Sequence, residues 1–441
     1  MKASHAALGL LLAGCTVGPE LEMPQATLQQ RFVNGDAAQI GAVAERRWWQ
    51  DYRDPVLNDL VTRGLAQNLD VIAAMERISE AQDNLRSVGV STDVEYIGLR
   101  SGGDEVTTTT TNELEASYVI DLFGGVRRER ESAAAELVAA QADVETTRLA
   151  WLAELIAAYS NARYYQTAIT ITRQTISDRE QTLEITRRQF EFGDATEYAV
   201  AEAEALLAAA KAGVPEFRAL FNSNVFAIGT LLNEQSGPIM TRMERGAPQL
   251  RTPPAPRTGL PAELLRNRPD VRSSEAALAA AVAEVGVAEA DLYPSLTLTG
   301  TIERTSGLNA WSFGPDISLP IFNQGLLRAT RDSQLSLARQ AEIDWRSQVV
   351  SAVEDVQVAQ SDLTQDRARA NALNQAATSY DKALSLAQEN YRAGAITLTD
   401  LLVTDRDTAS ARLSAASAVN DAAQAWAKLQ IAIGAGAAAT Q

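Results

Sequence analysis

Two long stretches of this chain contain neither glycine nor proline, and they constrain its fold more than any other feature. They cover residues 126–192 and 326–393. Glycine and proline are the residues that most often interrupt helices, so each stretch predicts one unbroken helix. At about 1.5 Å of rise per residue, each helix would be roughly 100 Å long, several times the width of a small domain. No ordinary globular core needs helices of this length.

Both stretches end in the same way, with an aromatic residue shortly before a glycine. Phe190 and Phe192 precede Gly193, and Tyr391 precedes Gly394. Because glycine tolerates the backbone angles of a tight reversal, each ending predicts a turn into a return helix. The first return helix is predicted over 196–233, with a kink near Pro215. The second is predicted to end near residue 433.

The chain is predicted to be an internal duplication, with its pattern recurring after about 200 residues. Asp70 and Asp270 correspond, as do Gly193 and Gly394. Each copy is predicted to contain a helix, two alternating strands and a long helical hairpin. The first helix of each copy covers 57–87 and 261–292, and the strands cover 88–96, 114–122, 293–300 and 311–321. The predicted domains are a first repeat at 57–234, a proline-rich linker at 235–260, a second repeat at 261–433 and a tail at 434–441.

The alternating strands each have one apolar face, best seen in Trp311, Phe313 and Ile317. Four strands are too few for a membrane barrel, which needs about eight. Open sheet edges are not viable in lipid, so strands that enter a bilayer must be pooled by several copies. The alternative is that two hairpins pack on a soluble domain, since alternation alone does not identify the apolar surroundings.

The N-terminus has the features of a secretory signal. Residues 1–14 contain a basic start, a short apolar segment and small residues, and they end before Cys15. The sequence Leu-Ala-Gly-Cys at 12–15 is that of a lipobox, which predicts diacylation of the Cys15 thiol. The alternative is a buried free thiol. Thr16 stands where an aspartate would signal retention in the inner membrane, so outer-membrane export is expected.

Residues 15–56 are predicted to form an extended strap. Near its end, Trp48 and Trp49 precede a helix that starts after Asp54 with Pro55 in its first position. The two tryptophans either pack at this helix entrance or form an interfacial belt.

Composition excludes several function classes. The chain of 441 residues has a formal net charge of −17, which disfavours binding to nucleic acid. His5 is the single histidine and Cys15 the single cysteine, so the usual residues of metal centres and catalytic triads are missing. We therefore expect no enzyme, no metal and no cofactor. A hydrolase could use only Asp/Glu pairs, which on helices this charged usually form solvated faces.

The chain resembles the TolC-like outer-membrane factor family, in the lipoprotein branch often called NodT-type. The most specific match is LPAELLRNRPDVR at 260–272, followed by LYPSL at 292–296. Supporting matches are the lipobox with Val-Gly-Pro at 17–19, Asn-Leu-Asp at 68–70, and YVIDLFG at 118–124. These motifs span nearly the whole chain in family order.

The resemblance implies an α+β fold with a duplicated β-hairpin and long antiparallel helical hairpin. It implies a homotrimer whose copies form one 12-stranded outer-membrane β-barrel, continuous with an α-helical barrel in the periplasm. It also implies a passive duct in a tripartite efflux system. The implied partners are a periplasmic adaptor, an inner-membrane transporter of the resistance-nodulation-division type, and outer-membrane lipid.

The resemblance also implies where function resides. Family members meet their adaptors at the two helix turns, and the matching residues here are Gly193, Asp194, Ala195, Thr196, Gly394, Ala395, Ile396 and Thr397. The alternative is that these are structural turns only.

The resemblance further implies a pore gate on the second return helix and a latch near the turns. Asp400 matches an acidic gate position, Val403 occupies a second one that is acidic in some relatives, and Asp407 shares the face of Asp400. Asp400 could instead be a locally paired surface charge. Tyr391 matches a latch tyrosine, and Glu197 is the expected acidic partner because the family's own position is occupied by alanine. The alternative to a duct is a lipid-anchored periplasmic scaffold of coiled helices without a pore.

Overall fold

The computed structural model of the chain describes residues 16–25, 28–33, 35, 39–89, 91–93, 96–98, 110–305 and 308–439. The predicted signal segment and Cys15 lie outside the described residues. Two compact units interleave along the chain. Unit 1 draws on the described parts of Met1–Thr27, on Ala73–Val144 and on Pro269–Val350, and unit 2 draws on Leu28–Ile72, Glu145–Arg268 and Ser351–Gln441.

The first half of the chain follows the predicted order of helix, strands and helical hairpin. After a short 3-10 helix at Trp48–Tyr52, its elements are α1 (Pro55–Gln67), α2 (Leu69–Ser87), β1 (Ser91–Asp93), β2 (Tyr96–Gly98), β3 (Thr110–Ile120), α3 (Gly125–Glu191) and α4 (Glu197–Leu231). The predicted long helix is confirmed, since α3 is continuous over 67 residues.

The second half repeats this order. Its elements are α5 (Ser236–Met243), a 3-10 helix at Pro261–Glu263, α6 (Leu264–Asn267), α7 (Pro269–Ala290), β4 (Ser295–Thr305), β5 (Leu308–Ser318), α8 (Gln324–Arg392) and α9 (Leu398–Ala432). The second long helix is also confirmed, since α8 is continuous over 69 residues. Within the described residues, no helix has the length and apolarity needed to cross a membrane.

The prediction of one continuous helix at 57–87 is wrong, because Asn68 divides this segment into α1 and α2. Asn68 adopts an extended conformation, and its side-chain oxygen accepts the Val71 N–H at 3.0 Å, which caps α2. Its side-chain nitrogen donates to the Leu231 carbonyl at 3.0 Å. The second repeat breaks at the corresponding residue, Arg268, which is also extended. The break is thus part of the duplicated design.

The predicted proline-rich linker at 235–260 contains the helix α5. Pro238 lies in its first turn, where a missing N–H costs nothing. Ile239 and Met243 are buried, and the Gln166 side-chain nitrogen donates to the Met243 carbonyl at 2.6 Å. Burial of these side chains stabilises a helix in a segment whose proline-rich sequence predicts a linker.

The described strands form one antiparallel sheet within unit 1, in the order β1-β3-β4-β5. β2 also pairs with β3, further along the same side, so β1 and β2 act as one interrupted strand. The predicted strand at 88–96 starts later than expected, because Gly89 adopts a left-handed turn (φ 77°) before β1. Val90, Val94 and Glu95 of that prediction lie outside the described residues.

The two faces of the sheet differ in polarity. Register places Tyr118 opposite Leu298 and Gly300 opposite Phe313, so these residues share a face. Trp311, Phe313 and Ile317 are exposed on this apolar face. On the other face, the hydroxyl groups of Thr301 and Ser312 lie 2.6 Å apart. Neither β5 nor the β1/β2 side pairs with a further described strand, so the sheet has two open edges.

Trp48 packs in the core of unit 2, as expected for a helix entrance. The Trp426 ring meets Trp48 and Tyr52 edge to face, with centroids 5.6 and 5.0 Å apart. The Trp48 indole N–H donates to the Ala435 carbonyl at 3.0 Å. The Tyr52 hydroxyl donates to the Ala423 carbonyl at 2.6 Å, and burial raises the pKa of Tyr52 above its ordinary value. The N-terminal segment is thereby tied to α9 and the residues that follow it.

Candidate functional site at the two helix turns

The first turn joins α3 to α4 in unit 2. The Gly193 N–H donates to the Phe190 carbonyl at 3.0 Å, and the Asp194 N–H donates to the Gln189 carbonyl at 2.8 Å. These bonds satisfy carbonyl groups at the end of α3. They require a left-handed backbone at Gly193, where φ is 83°. A glycine meets this requirement without steric cost.

The second turn joins α8 to α9 and has the same hydrogen bonds. The Gly394 N–H donates to the Tyr391 carbonyl at 3.0 Å, and the Ala395 N–H donates to the Asn390 carbonyl at 2.8 Å. Gly394 is also left-handed, with φ of 73°. The duplication therefore produced two turns with one backbone design.

The return helices begin with threonine caps in both hairpins. The Thr196 side chain accepts the Ala199 N–H at 3.2 Å. In the second turn the Thr397 hydroxyl accepts the Asp400 N–H at 3.3 Å, while the Asp400 carboxylate accepts the Thr397 N–H at 3.1 Å and its hydroxyl at 2.7 Å. This reciprocal arrangement is a capping box. It lowers the pKa of Asp400 below its ordinary value, because the ionised form receives both bonds.

The two hairpins pack against each other next to the turns. The buried cluster is apolar and comes from α8 and α9: Leu384, Ala387, Tyr391, Leu398, Leu401 and Leu402. Ile185, Ala199 and Leu206 of the first hairpin pack on this cluster. Both turns are therefore held on one core.

Tyr391, the predicted latch tyrosine, contacts a residue other than Glu197 in the structure. The Tyr391 hydroxyl lies 3.0 Å from the Thr186 hydroxyl on α3, and both side chains are buried. Glu197 is exposed in the first turn of α4 and forms no hydrogen bond with Tyr391 among the described residues. The Tyr391 ring packs in the cluster between the hairpins, so its hydroxyl meets the buried face of α3 and not the exposed start of α4.

The predicted gate residues lie on one exposed face of α9. Asp400, Val403 and Asp407 are spaced as neighbours on a helix surface, and each is exposed in the single chain. In the structure the Asp400 carboxylate caps α9. The alternative to a gate role was that Asp400 is paired locally. The two hydrogen bonds from Thr397 are such a local pairing, and the gate role stays a prediction.

A buried ion pair that the sequence patterns did not predict lies behind the turns. The Arg179 Nε lies 2.7 Å from an Asp405 oxygen, and both side chains are buried. Arg179 also donates to the Leu206 carbonyl at 2.8 Å, so one guanidinium connects α3, α4 and α9. Burial raises the pKa of Asp405 above its ordinary value, and Arg179 opposes this shift. A signal existed, since Asp405 continues the apolar period of Leu398, Leu401 and Leu402.

A second arginine connects further helices at this level. The Arg412 Nε lies 2.6 Å from Asp381 on α8, and its Nη1 lies 3.2 Å from Asp178 on α3. The two neighbouring carboxylates raise the pKa of Arg412, although partial burial opposes them. The turns are thus followed by a charged layer that joins all four helices of the two hairpins.

The chain next to the predicted lipidation site is held firmly in unit 1. The Val17 N–H donates to the Phe123 carbonyl at 3.0 Å, and Arg127 donates to the Thr16 hydroxyl at 2.6 Å. Gly18 is left-handed and lies so close to Gly286 that an added Cβ would come within 2.5 Å of the Gly286 Cα. Cys15 itself lies outside the described residues, but Thr16 lies where β3 gives way to α3.

Among the side chains that the structure describes, no group of three or more His, Cys, Asp or Glu residues is placed to hold a metal ion.

Solved structures define the class of protein. The open-state outer-membrane channel MtrE of Neisseria gonorrhoeae aligns with a TM-score of 0.82 at 29% identity, over 97% of this chain and 100% of that one. The outer-membrane channel OprN aligns with a TM-score of 0.80 at 28% identity, over 96% of this chain and 100% of that one. The fold is therefore that of a TolC-like outer-membrane channel, as the sequence predicted.

Sequence comparison identifies the family. The model for outer membrane efflux proteins matches residues 65–234 and 260–435. Nodulation protein T of Rhizobium leguminosarum bv. trifolii is 35% identical over 97% of this chain and 96% of its own length. The pyoverdine export outer membrane protein OpmQ of Pseudomonas aeruginosa is 30% identical over 90% of this chain and 89% of its own length. The chain belongs to the outer membrane efflux protein family, and it is an outer-membrane channel of a tripartite efflux system.

Proposed function

We propose that the chain works as a passive duct, formed by three copies and opened at the helix turns. One observation carries this proposal, namely the open sheet with an exposed apolar face. Unpaired edges are not viable in lipid, so several copies must close them. Three copies of a four-stranded sheet, with β1 and β2 counted as one interrupted strand, supply enough strands for a membrane barrel, which needs at least about eight.

The two turns are the proposed contact with a periplasmic adaptor, through Gly193–Thr196 in the first and Gly394–Thr397 in the second. They are exposed ends of helices that are firmly packed behind them, and loops on rigid scaffolds commonly carry recognition. An inner-membrane transporter of the resistance-nodulation-division type would supply energy and substrate. The duct itself then needs a lined passage and no catalytic group.

We assign the gate to the exposed face of α9 that carries Asp400, Val403 and Asp407. Rings of carboxylates in an assembled pore select for cations. The Tyr391–Thr186 contact and the charged layer around Arg179 would hold the two hairpins together in the closed state. Opening would then require these contacts to break or to move as one body.

We assign the membrane anchor to diacylated Cys15. Its support is the lipobox together with the docking of Thr16 and Val17 beside Phe123. Acyl chains on Cys15 would then start next to the base of the sheet, whose apolar face is the part proposed to meet lipid. Several acyl chains provide stable anchoring, whereas one does not.

The decisive measurement is planar-bilayer conductance of the purified full-length protein. We expect discrete channel openings from wild type, and larger or more frequent openings from Tyr391→Phe. Native mass spectrometry of the same sample should find three copies. If neither wild type nor Tyr391→Phe conducts, the pore-free scaffold would replace the duct.

The gate assignment has its own test, which must separate the pore charge of Asp400 from its capping role. Asp400→Asn removes the charge and weakens the cap, whereas Thr397→Ala weakens the cap and keeps the charge. We expect cation selectivity to fall in Asp400→Asn and to persist in Thr397→Ala. Equal selectivity in both variants would leave Asp400 as a cap only.

A further inference from the structure

The two turns share one backbone design but present different side chains. The side chains differ at positions that lie the same number of residues from Gly193 and from Gly394. Three residues before the glycine, the first turn has Phe190 and the second has Tyr391; one residue before it, they have Phe192 and Ala393; five residues after it, they have Tyr198 and Thr399. The first turn is aromatic at all three positions.

These aromatic side chains are exposed in the first turn and absent or buried in the second. Phe192 is 83% exposed and Tyr198 is 75% exposed. Tyr391, the second turn's aromatic, is only 5% exposed because it packs in the cluster between the hairpins. Ala393 shows that the same turn forms without an aromatic residue before the glycine. Folding therefore does not explain why Phe192 is aromatic.

Acidic residues neighbour the aromatic residues of the first turn in the sequence. Arg187 pairs with Glu204, and Arg188 pairs with Glu184. Glu191, Asp194 and Glu197 are exposed and form no ion pair with any described residue. A partner for this surface must therefore offer apolar area at its centre and positive charge at its rim.

The second turn lacks both properties. No acidic residue lies within four positions of Gly394, and Asp400, six positions after it, already accepts the N–H and hydroxyl of Thr397. Arg392, two residues before Gly394, is an exposed cation. Ala393 and Ala395 offer little apolar area. The second turn can accept a close backbone approach, and its exposed residue of a hot-spot type is the cation Arg392, with no exposed aromatic side chain beside it.

We propose that the first turn is the specificity surface for the adaptor, with Phe192 and Tyr198 as its anchors. The partner segment would carry aliphatic side chains flanked by lysine or arginine. This inference rests on the proposed function, which places the adaptor at both turns. It goes further because it gives the two turns different roles in adaptor binding. The first turn selects the adaptor, and the second turn contacts it without selecting it.

The test starts by capturing the partner in intact cells. A photocrosslinking residue replaces Ala395 in one full-length variant and Phe192 in another. Both variants should capture the same adaptor protein, which is then purified as the binding probe. Capture of no adaptor at either position would overturn the proposed function itself. Capture of only a second copy of this chain at Phe192 would overturn the further inference, because the aromatic surface would then be a contact within the assembly.

Affinity of the purified adaptor for the full-length channel then tests the anchors. We expect Phe192→Ala/Tyr198→Ala to weaken binding by at least about tenfold, as for hot-spot residues. The control is Phe226→Ala, which removes another aromatic side chain of α4 that is 52% exposed; its affinity should match wild type. Thermal denaturation should leave all three proteins alike. Unchanged affinity in the double variant would overturn this inference and leave the proposed function intact.

Charge provides an independent measurement. The variant Glu191→Gln/Asp194→Asn/Glu197→Gln should bind the adaptor more weakly at low salt and depend less on ionic strength than wild type. If wild-type binding does not weaken as salt is added, the positive rim assigned to the partner is wrong.

Discussion

At the scale of single residues, two aspartates on α9 face opposite electrostatic conditions. Asp400 is exposed and receives two hydrogen bonds, so its pKa is lowered. Asp405, one turn further, is buried beside Arg179, and burial raises its pKa. Neither condition can be read from the residue type. The capping box fits a local sequence pattern, whereas the buried pair needs two helices to meet.

We expect the two aspartates to give opposite pH dependences. A raised pKa means that Asp405 contributes stability that is fully present below its ordinary value of 3.8 and is lost as pH rises through the folded value. A lowered pKa means that the contribution of Asp400 is present above 3.8 and is lost as pH falls through its folded value.

Thermal denaturation from about pH 7 to about pH 2 can check these signs. The stability of wild type relative to Asp405→Asn should rise as pH falls, because only wild type gains the stability of a protonated Asp405. The deficit of Asp400→Asn should stay constant down to about pH 4 and shrink only below the ordinary pKa of Asp400, 3.8. Parallel curves for the two variants would contradict the assignment of opposite shifts.

The buried contact between Tyr391 and Thr186 allows a second test at this scale. Tyr391→Phe removes one hydroxyl and leaves Thr186 its bond to the Thr182 carbonyl. We expect a loss of about 1 kcal/mol, typical of one hydrogen bond. The double variant with Thr186→Val should lose less than the sum of the single losses, because both substitutions remove one shared contact. Additive losses in a double-mutant cycle would indicate that the two hydroxyl groups do not interact.

At the scale of elements, the ends of the long helices require more specific residues than their interiors do. The interiors follow from the absence of glycine and proline, but the endings use left-handed glycines with defined hydrogen bonds. Nothing lies within 4 Å of a Cβ added to Gly193 or Gly394. Substitution there is therefore opposed by backbone conformation and not by space.

This difference predicts the effect of adding a methyl group. Gly394→Ala should cost about 1–2 kcal/mol, because an L-residue is forced into a left-handed conformation. Gly325→Ala is the matched control, since Gly325 lies in the first turn of α8 with open space around its Cβ position and has no left-handed φ. It should be neutral or stabilising by up to about 1 kcal/mol. Equal losses in chemical denaturation would refute the conformational explanation.

At the scale of the whole molecule, the duplication organises both fold and function. Each repeat supplies strands to one sheet and a helical hairpin to one pair of turns. The copies have kept the backbone of the turn and the helix break at Asn68 and Arg268. They differ in the side chains that the turns expose, which is where we place partner selection.

The proposed lipid anchor concerns the whole molecule, although it depends on one atom, the Cys15 sulfur. Cys15→Ser should abolish incorporation of radiolabelled palmitate, because a hydroxyl cannot replace the thiol that accepts the diacylglyceryl group. Thr16→Ser is the control and should be labelled like wild type. Palmitate labelling that persists in Cys15→Ser would place the lipid elsewhere or remove it from the proposal.

Local sequence patterns carried much of the fold. Some patterns are local or repeat regularly, so they can be recognised in the sequence alone. They are the long glycine-free and proline-free runs, the strand alternation, the glycine turns and the recurrence after about 200 residues. Side-chain pairing between distant helices is different. Arg179 meets Asp405, Tyr391 meets Thr186, and the linker segment folds into α5, because packing decides which helix faces meet and which polar groups lose water. The helices could therefore be predicted from the chain, but the partners that hold their turns together were decided only by tertiary structure.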